Sequence, residues 1–441
     1  MLLQFEVENF QSFKERQIFS LVASKYYRDH EDLLIQNHVP SLSGQSFLPA
    51  AVLFGPNASG KSNFIKAVSQ LKLLVLRSAT VTPDSLLPYT PFMLDSETRK
   101  DPTVFSVSFV INNVRYDYEV AYNANEVLFE ELLAYPNGRK QTLFVRRATT
   151  DNDIDKPIEV NPSLKVNKMT IGALRRNVLL LSLGAQLNNA KLLEIYSWFR
   201  DKLQLADTGY YNMQTLLDYS TDVLLGKHGE DSMLSLLDML HKADFGISSA
   251  RAEQLPVPPE AIESFRTLLN DDVYHTMLKE DSFYSNVLFR HSNGKESIEL
   301  DIDTDSAGTK QFFTLLGPLL DVLEKGMILF IDEFDSSLHP LLSEELVSLF
   351  QSPKTNPNAA QLVITSHNMQ LLDNSIFRRD QIWFTEKDAR GASRLYPLSD
   401  YRPRKDESLL MGYIKGRYGA LPLFPDDFFV TEENLFDRNE L

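Results

Sequence analysis

Hydrophobic positions along this chain change period several times, and each change marks an element. Near the N-terminus Phe5 and Val7 alternate with Glu6 and Glu8. Asn9 to Glu15 carries turn chemistry and Ile18-Phe19-Ser20-Leu21 resumes the apolar pattern, which predicts strand and hairpin over 1–20. Residues 25–50 are polar and irregular. The short run Ala51-Val52-Leu53-Phe54 leads through a glycine loop into a segment from Lys61 to about Arg77. There Phe64, Val68, Leu71 and Val75 fall on one helical face. Alternation returns over 103–122, on either side of Asn112-Asn113, with a third strand near Glu126–Leu133 and a fourth at Thr142–Arg146 after the Asn137-Gly138 turn. These strands predict an antiparallel sheet added beside the glycine-loop strand.

Residues 149–165 are polar, contain Pro157 and Pro162, and read as a linker. From about 167 to 285 the pattern turns helical, with segments at Leu179–Leu187, Ala190–Leu203, Met213–Leu225, Met233–Ala243 and Glu260–Leu269. No heptad repeat persists, so no coiled coil is expected. Ile298–Asp303 returns to strand, and after Asp305 helix and strand alternate as in α/β folds. The expected division is an N-terminal lobe at 1–150, a helical insertion at 151–290, a C-terminal lobe at 291–401 and a tail at 402–441.

The loop Gly55-Pro56-Asn57-Ala58-Ser59-Gly60-Lys61-Ser62 matches G-x-x-x-x-G-K-[ST], and Asn63 follows it. Glycines let backbone N–H groups approach phosphate closely, and the helix beginning there aims its positive end at the same anion. Lys61 would reach the β- and γ-phosphates, and the Ser62 hydroxyl would ligate Mg²⁺. Because the loop lies between an apolar strand and an amphipathic helix, it has the context that the motif requires.

Met327-Ile-Leu-Phe-Ile331 is wholly apolar and closes on Asp332 and Glu333, the pattern in which one carboxylate holds Mg²⁺ and the next polarises the attacking water. A further apolar strand, Gln361–Thr365, ends in Ser366 and His367, where a γ-phosphate sensor would sit. Ser306-Ala307-Gly308 opens the helix Lys310–Leu323 and forms a second anion-binding cap. One nucleotide has little use for two caps in one head, but the nucleotide of a second molecule could use this one. An ATP-sandwiched homodimer, or a higher homo-oligomer built from it, follows as an expectation.

Composition narrows the setting. Cysteine is absent, so neither a disulfide framework nor a thiolate metal site can form. No stretch approaches the ~20 apolar residues of a membrane span, and the N-terminus lacks the basic start of a signal peptide, so a cytoplasmic protein with no membrane partner is expected. A net charge of −16 disfavours non-specific coating of nucleic acid. Arg139-Lys140, Arg146-Arg147, Arg175-Arg176 and Arg402, Arg404, Lys405 read as solvated surface charge, so nucleic acid is allowed as a ligand but not required.

Together and in this order, these residues resemble the ABC ATPase superfamily in its soluble SMC and RecF branch, whose N-terminal strand Glu8-Asn9-Phe10-Gln11-Ser12-Phe13 also looks like. Asp332 through Pro340, Thr365-Ser366-His367-Asn368 and the tail Gly412–Pro422 are similar to RloA-like and OLD-type prokaryotic ATPases. The resemblance implies an α/β ABC-type head with an inserted helical domain, ATP and Mg²⁺ as cofactors, and ATP hydrolysis centred on Lys61, Glu333 and His367. It makes Asp335 part of the D-loop, Ser306 and Gly308 the signature loop and His367 the switch histidine. It departs from the family where Ser-Ala-Gly-Thr stands for the usual signature and where Pro91-Phe92-Met93-Leu94-Asp95 offers no Q-loop glutamine. Asp426-Asp427 and Glu432-Glu433 read as a solvated acidic tail, since 368–441 is short for a fused nuclease.

The implied function is a regulatory ATPase of anti-phage defence that controls a separate effector, a nuclease. The alternative is an SMC- or RecF-like DNA-repair ATPase. A transporter's nucleotide-binding subunit and a nucleotide-locked scaffold fit less of the pattern.

Overall fold

The structure is a computed structural model that describes residues 1–27, 31, 34–35, 39–148, 158–207, 210–243, 246–256, 283–292, 294–405 and 407–422. The central sheet holds β3 (Ala50–Phe54), β9 (Leu203–Asp207), β13 (Ile328–Asp332), β14 (Gln361–Thr365), β15 (Ile382–Lys387) and β16 (Ser393–Pro397), in the order β16-β15-β3-β14-β13-β9. Its first five members in chain order run parallel, and β16 pairs antiparallel with β15. β3, β13 and β14 are buried at every position. Successive side chains of a strand point to opposite faces, and here both faces are covered. Ala51, Leu53, Phe330 and Val363 enter one core, whereas Val52, Phe54, Ile331 and Ile364 enter the other. That is why these strands read as continuous apolar runs.

α1 (Lys61–Arg77) fills the first core, with Phe64 against Phe330 across 6.4 Å between ring centroids. An antiparallel sheet closes that side. It contains β1 (Leu2–Glu8), β2 (Gln17–Ser20), β4 (Thr103–Ile111), β5 (Val114–Tyr122), β6 (Val127–Tyr135), β7 (Gln141–Arg147) and β8 (Ile158–Val160), in the order β2-β1-β4-β5-β6-β7-β8. This sheet is separate from the glycine-loop strand, which lies in the central sheet. α7 (Ala307–Lys325) and α8 (Pro340–Gln351) belong to the second core.

The stretch expected to be helical, 167–285, differs most from its reading. It does contain α2 (Lys168–Ala173), α3 (Leu180–Gln186), α4 (Ala190–Ser197), α5 (Tyr210–Leu224) and α6 (Glu230–Lys242). The helix expected to reach Leu203 ends instead in a π-turn at Trp198–Lys202, and β9 follows. β9 pairs in parallel with β13, so this segment is part of the head's own sheet. Pairing with a strand more than a hundred residues away overrides the local helical period. β10 (Ile247–Pro256) and β11 (Phe283–Ser292) form a second antiparallel sheet with β12 (Ser297–Asp301). The boundaries expected at 151 and 290 therefore cut through sheets, since β8 completes the N-terminal sheet and β11 pairs across the later boundary. The helix expected at Glu260–Leu269 and the acidic pairs after 422 lie outside the described residues.

Arg146 corrects the reading of its basic pair as solvated. It is 6% exposed and donates to the carbonyls of Arg175 and Arg176 at 3.1 Å each. It lies beside Glu130, fully buried, which accepts from the backbone N–H groups of Leu180 and Leu181 at the start of α3. A carboxylate at a helix N-terminus is favourably placed, and here it pins the helical stretch to the antiparallel sheet. Among the described residues no helix is long and apolar enough to cross a membrane.

Candidate functional site

The glycine loop joins β3 to α1 at the C-terminal edge of the central sheet, where ligands of open α/β sheets bind. Gly60 precedes α1 at φ 121°, and no side chain caps that helix. The first N–H groups of a helix lack intrahelical acceptors, so this terminus offers donors to an anion. The loop leaves no room for side chains at its glycines. A Cβ on Gly60 would lie 2.6 Å from Ser393 Oγ, and one on Gly55 would lie 2.3 Å from the Thr385 carbonyl oxygen.

Those contacts expose a supporting wall that the sequence reading missed. Ser59 and Thr385 share a hydroxyl–hydroxyl hydrogen bond of 2.6 Å. Ser393 donates to the Ser59 carbonyl at 2.6 Å and meets Ser12 at 2.8 Å. Asn63 donates to Ser12 at 2.7 Å. The turn after β1, the start of α1 and the β15–β16 pair are thus fastened around the loop by small hydroxyls. No motif announces Thr385 or Ser393, because their role depends on strands more than 300 residues from the loop.

Lys61 is 6% exposed and donates to the carbonyls of Gly55 and Pro56 at 2.8 and 3.2 Å. Burial lowers its pKa, while Asp332, Glu333 and Asp335 act in the opposite direction. The same three carboxylates lie near His367, which is exposed at the surface yet has its pKa lowered first by partial desolvation of its ring and then by Lys61. The structure therefore brings Lys61, Asp332, Glu333, Asp335 and His367 into one electrostatic neighbourhood.

Parallel pairing of β13 with β14 aligns their C-terminal ends, so Thr365 adjoins the acidic pair. The Thr365 hydroxyl donates to Asp332 Oδ1 at 2.6 Å and accepts from the Glu333 N–H at 2.8 Å. One buried hydroxyl thus orients the Asp332 carboxylate and holds the Glu333 backbone. Glu333 is exposed and has φ 51°, a left-handed conformation uncommon for a non-glycine residue. Asp335 accepts from the His367 N–H, with its two oxygens at 3.2 and 3.4 Å.

Ser306 and Gly308 lie at the start of α7. Ser306 caps the helix by accepting from the Thr309 N–H at 3.1 Å. A Cβ on Gly308 would lie 2.8 Å from the Ser337 carbonyl oxygen, so this glycine permits close contact between the start of α7 and the loop that follows Asp332 and Glu333. The tail Gly412–Pro422, which the sequence reading matched to a family without giving it a place in the site, also lines it. Tyr413 and Tyr418 stack on Phe384, and Glu386 accepts from the Ala420 N–H at 3.1 Å. So anchored, Tyr413 and Leu421 face Asn57 and His367 across a cavity of about 830 Å³.

The donor set fits a nucleotide with Mg²⁺. Uncapped amides and an ammonium suit phosphate, while one hydroxyl and one carboxylate, Ser62 and Asp332, suit a cation that also takes phosphate oxygens and water. Among the described residues no group of three or more His, Cys, Asp or Glu could hold a metal alone.

Fold and site together define an ABC-type P-loop ATPase head, an α/β architecture with an added antiparallel sheet. The chain belongs to the family described as "AAA domain, putative AbiEii toxin, Type IV TA system", which it matches over residues 50–373. No curated protein matches it. Among solved structures, the SMC head domain from Thermotoga maritima is 13% identical, with a TM-score of 0.39 and coverage of 90% of this chain and 98% of that one. An SMC head bound to the C-terminal winged-helix domain of ScpA is 12% identical, with a TM-score of 0.42 and coverage of 90% and 96%.

Proposed function

We propose that this protein is a regulatory ATPase whose heads associate around ATP and Mg²⁺ and thereby control a separate effector, a nuclease, in prokaryotic anti-phage defence. The observation that carries the ATPase reading is the gathering of Asp332 and Glu333 around the buried Lys61 of the phosphate loop, with Thr365 bonded to the Asp332 carboxylate and the Glu333 N–H. The amides of Gly55–Ser62 and the Lys61 ammonium hold the phosphates, with Ala58, Ser59 and Asn63 shaping the loop. Ser62 and Asp332 hold Mg²⁺, which when bound neutralises charge on the phosphates. Glu333 accepts a proton from the attacking water and His367 contacts the γ-phosphate. Ser306 and Gly308 present the N-terminus of α7 to the nucleotide of a second subunit.

The defence setting is supported by the similarity of Asp332–Pro340 and Gly412–Pro422 to RloA-like and OLD-type ATPases, and it accords with the toxin description of the matched family. The test is to purify Glu333→Gln protein from its native host in ATP and Mg²⁺. Removing the carboxylate should trap the nucleotide-bound state, and a single co-purifying protein with nuclease motifs is the expected result. Recovery of DNA alone would overturn the effector reading in favour of an SMC-like DNA ATPase.

A further inference from the structure

The sheet β10–β12 bears on the signature turn directly. β12 ends at Asp301, one short turn separates it from Ser306, and β11 lies alongside. Alternation along β11 sends Val287, Phe289 and His291 to the same side. Val287 and Phe289 are 2% and 0% exposed within the second core. Phe289 meets Phe313 of α7 edge-on, 5.5 Å between centroids. His291, two residues on, places Nε2 3.1 Å from Asp305 Oδ2, and both side chains are largely sheltered. Asp305 immediately precedes Ser306. On its other side the turn meets the D-loop at Gly308 and Ser337. Two residues of β11 thus hold the signature turn, one upstream of it and one on the helix it opens.

We propose that His291 is a positioning residue for the signature turn, and that through it the sheet β10–β12 sets how well one subunit completes the nucleotide site of the other. This inference rests on the head-dimer reading above. β10 and β11 pair from Ile247–His291 out to Pro256–Phe283, with one register shift between Ile247 and Ser249, so a tilt of this ribbon reaches Asp305 through β11. His291 touches neither the phosphate loop nor the acidic pair, and its effect on turnover is therefore exerted on the partner's site.

The experiment uses mixed dimers. One subunit carries Lys61→Met, leaving a single competent site made from the other subunit's phosphate loop and the Lys61→Met subunit's signature turn. His291→Ala placed in the Lys61→Met subunit is expected to lower turnover by roughly tenfold to a hundredfold, the upper figure being the scale of an ångström-level misplacement. Placed in the subunit with the intact loop, it is expected to leave turnover unchanged. His291→Gln, which can still reach Asp305, is expected to restore most of the rate. Nucleotide affinity of an isolated His291→Ala subunit with Lys61 intact should not change, which separates positioning from general loss of fold. Equal effects in both placements, or none in either, would overturn the inference and leave the dimer reading standing. A mixed dimer that never turns over nucleotide even with both His291 residues intact would overturn the dimer reading and the inference with it.

Discussion

Thr365→Val isolates the hydroxyl that orients the acidic pair. The side chain is fully buried, and valine matches threonine in shape, so little cavity is created. What is lost is a 2.6 Å bond to the Asp332 carboxylate and a 2.8 Å bond from the Glu333 N–H. A hydrogen bond to a charged group contributes ~1.5–3 kcal/mol, and a stranded buried donor costs ~1–3 kcal/mol. Glu333 lies at the surface, where water replaces part of the second bond. The expected destabilisation is therefore about 2–4 kcal/mol. With an unfolding entropy of ~2.1 cal/mol/K per residue, this corresponds to a Tm lower by roughly 2–4 °C. Turnover should fall by more than tenfold, about 1.4 kcal/mol of barrier, because the Asp332 carboxylate and the Glu333 backbone lose their common anchor. Differential scanning calorimetry and Mg²⁺-dependent phosphate release measure the two effects. Thr365→Ser keeps the hydroxyl and should recover most of the rate. A Thr365→Val protein with unchanged Tm and wild-type turnover would refute the bridging role.

Other consequences follow from the same geometry. Glu333→Gln should lower hydrolysis by 10²-fold or more while preserving nucleotide binding, measured by single-turnover assay and fluorescent-nucleotide titration. Lys61→Met should abolish that binding without lowering thermal stability, because the buried ammonium is already disfavoured by desolvation. His367 has a folded pKa below 6.5, so the unfolded chain binds the extra proton first as pH falls. Its contribution to stability is present above 6.5 and is lost between 6.5 and the lower folded value, and His367→Gln should flatten that part of a stability–pH curve. Gly419→Ala should displace the tail, since φ is +68° and a Cβ would lie 2.7 Å from Glu386 Oε2. Altered protease sensitivity near Tyr413 would report it.

The sequence by itself determined the phosphate loop, the acidic strand end and the histidine strand end. Each is written in contiguous residues whose spacing is set by backbone geometry. Gly55–Ser62 needs only the turn into α1, and Ile328–Glu333 needs only a buried strand with polar groups at its exit. The antiparallel strands were legible for the same reason, since their alternation and turns are local. Tertiary structure alone decided how these pieces meet. Thr365 became the tether of Asp332 and Glu333 only because β14 pairs in register with β13. Ser393 and Thr385 became the wall of the loop only because β15 pairs with β3. Leu203–Asp207 left its helical surroundings to extend the central sheet, and the tail came to line a cavity with His367 by stacking on Phe384. Strand pairing joins residues far apart in the chain, and a local period carries no record of its partner.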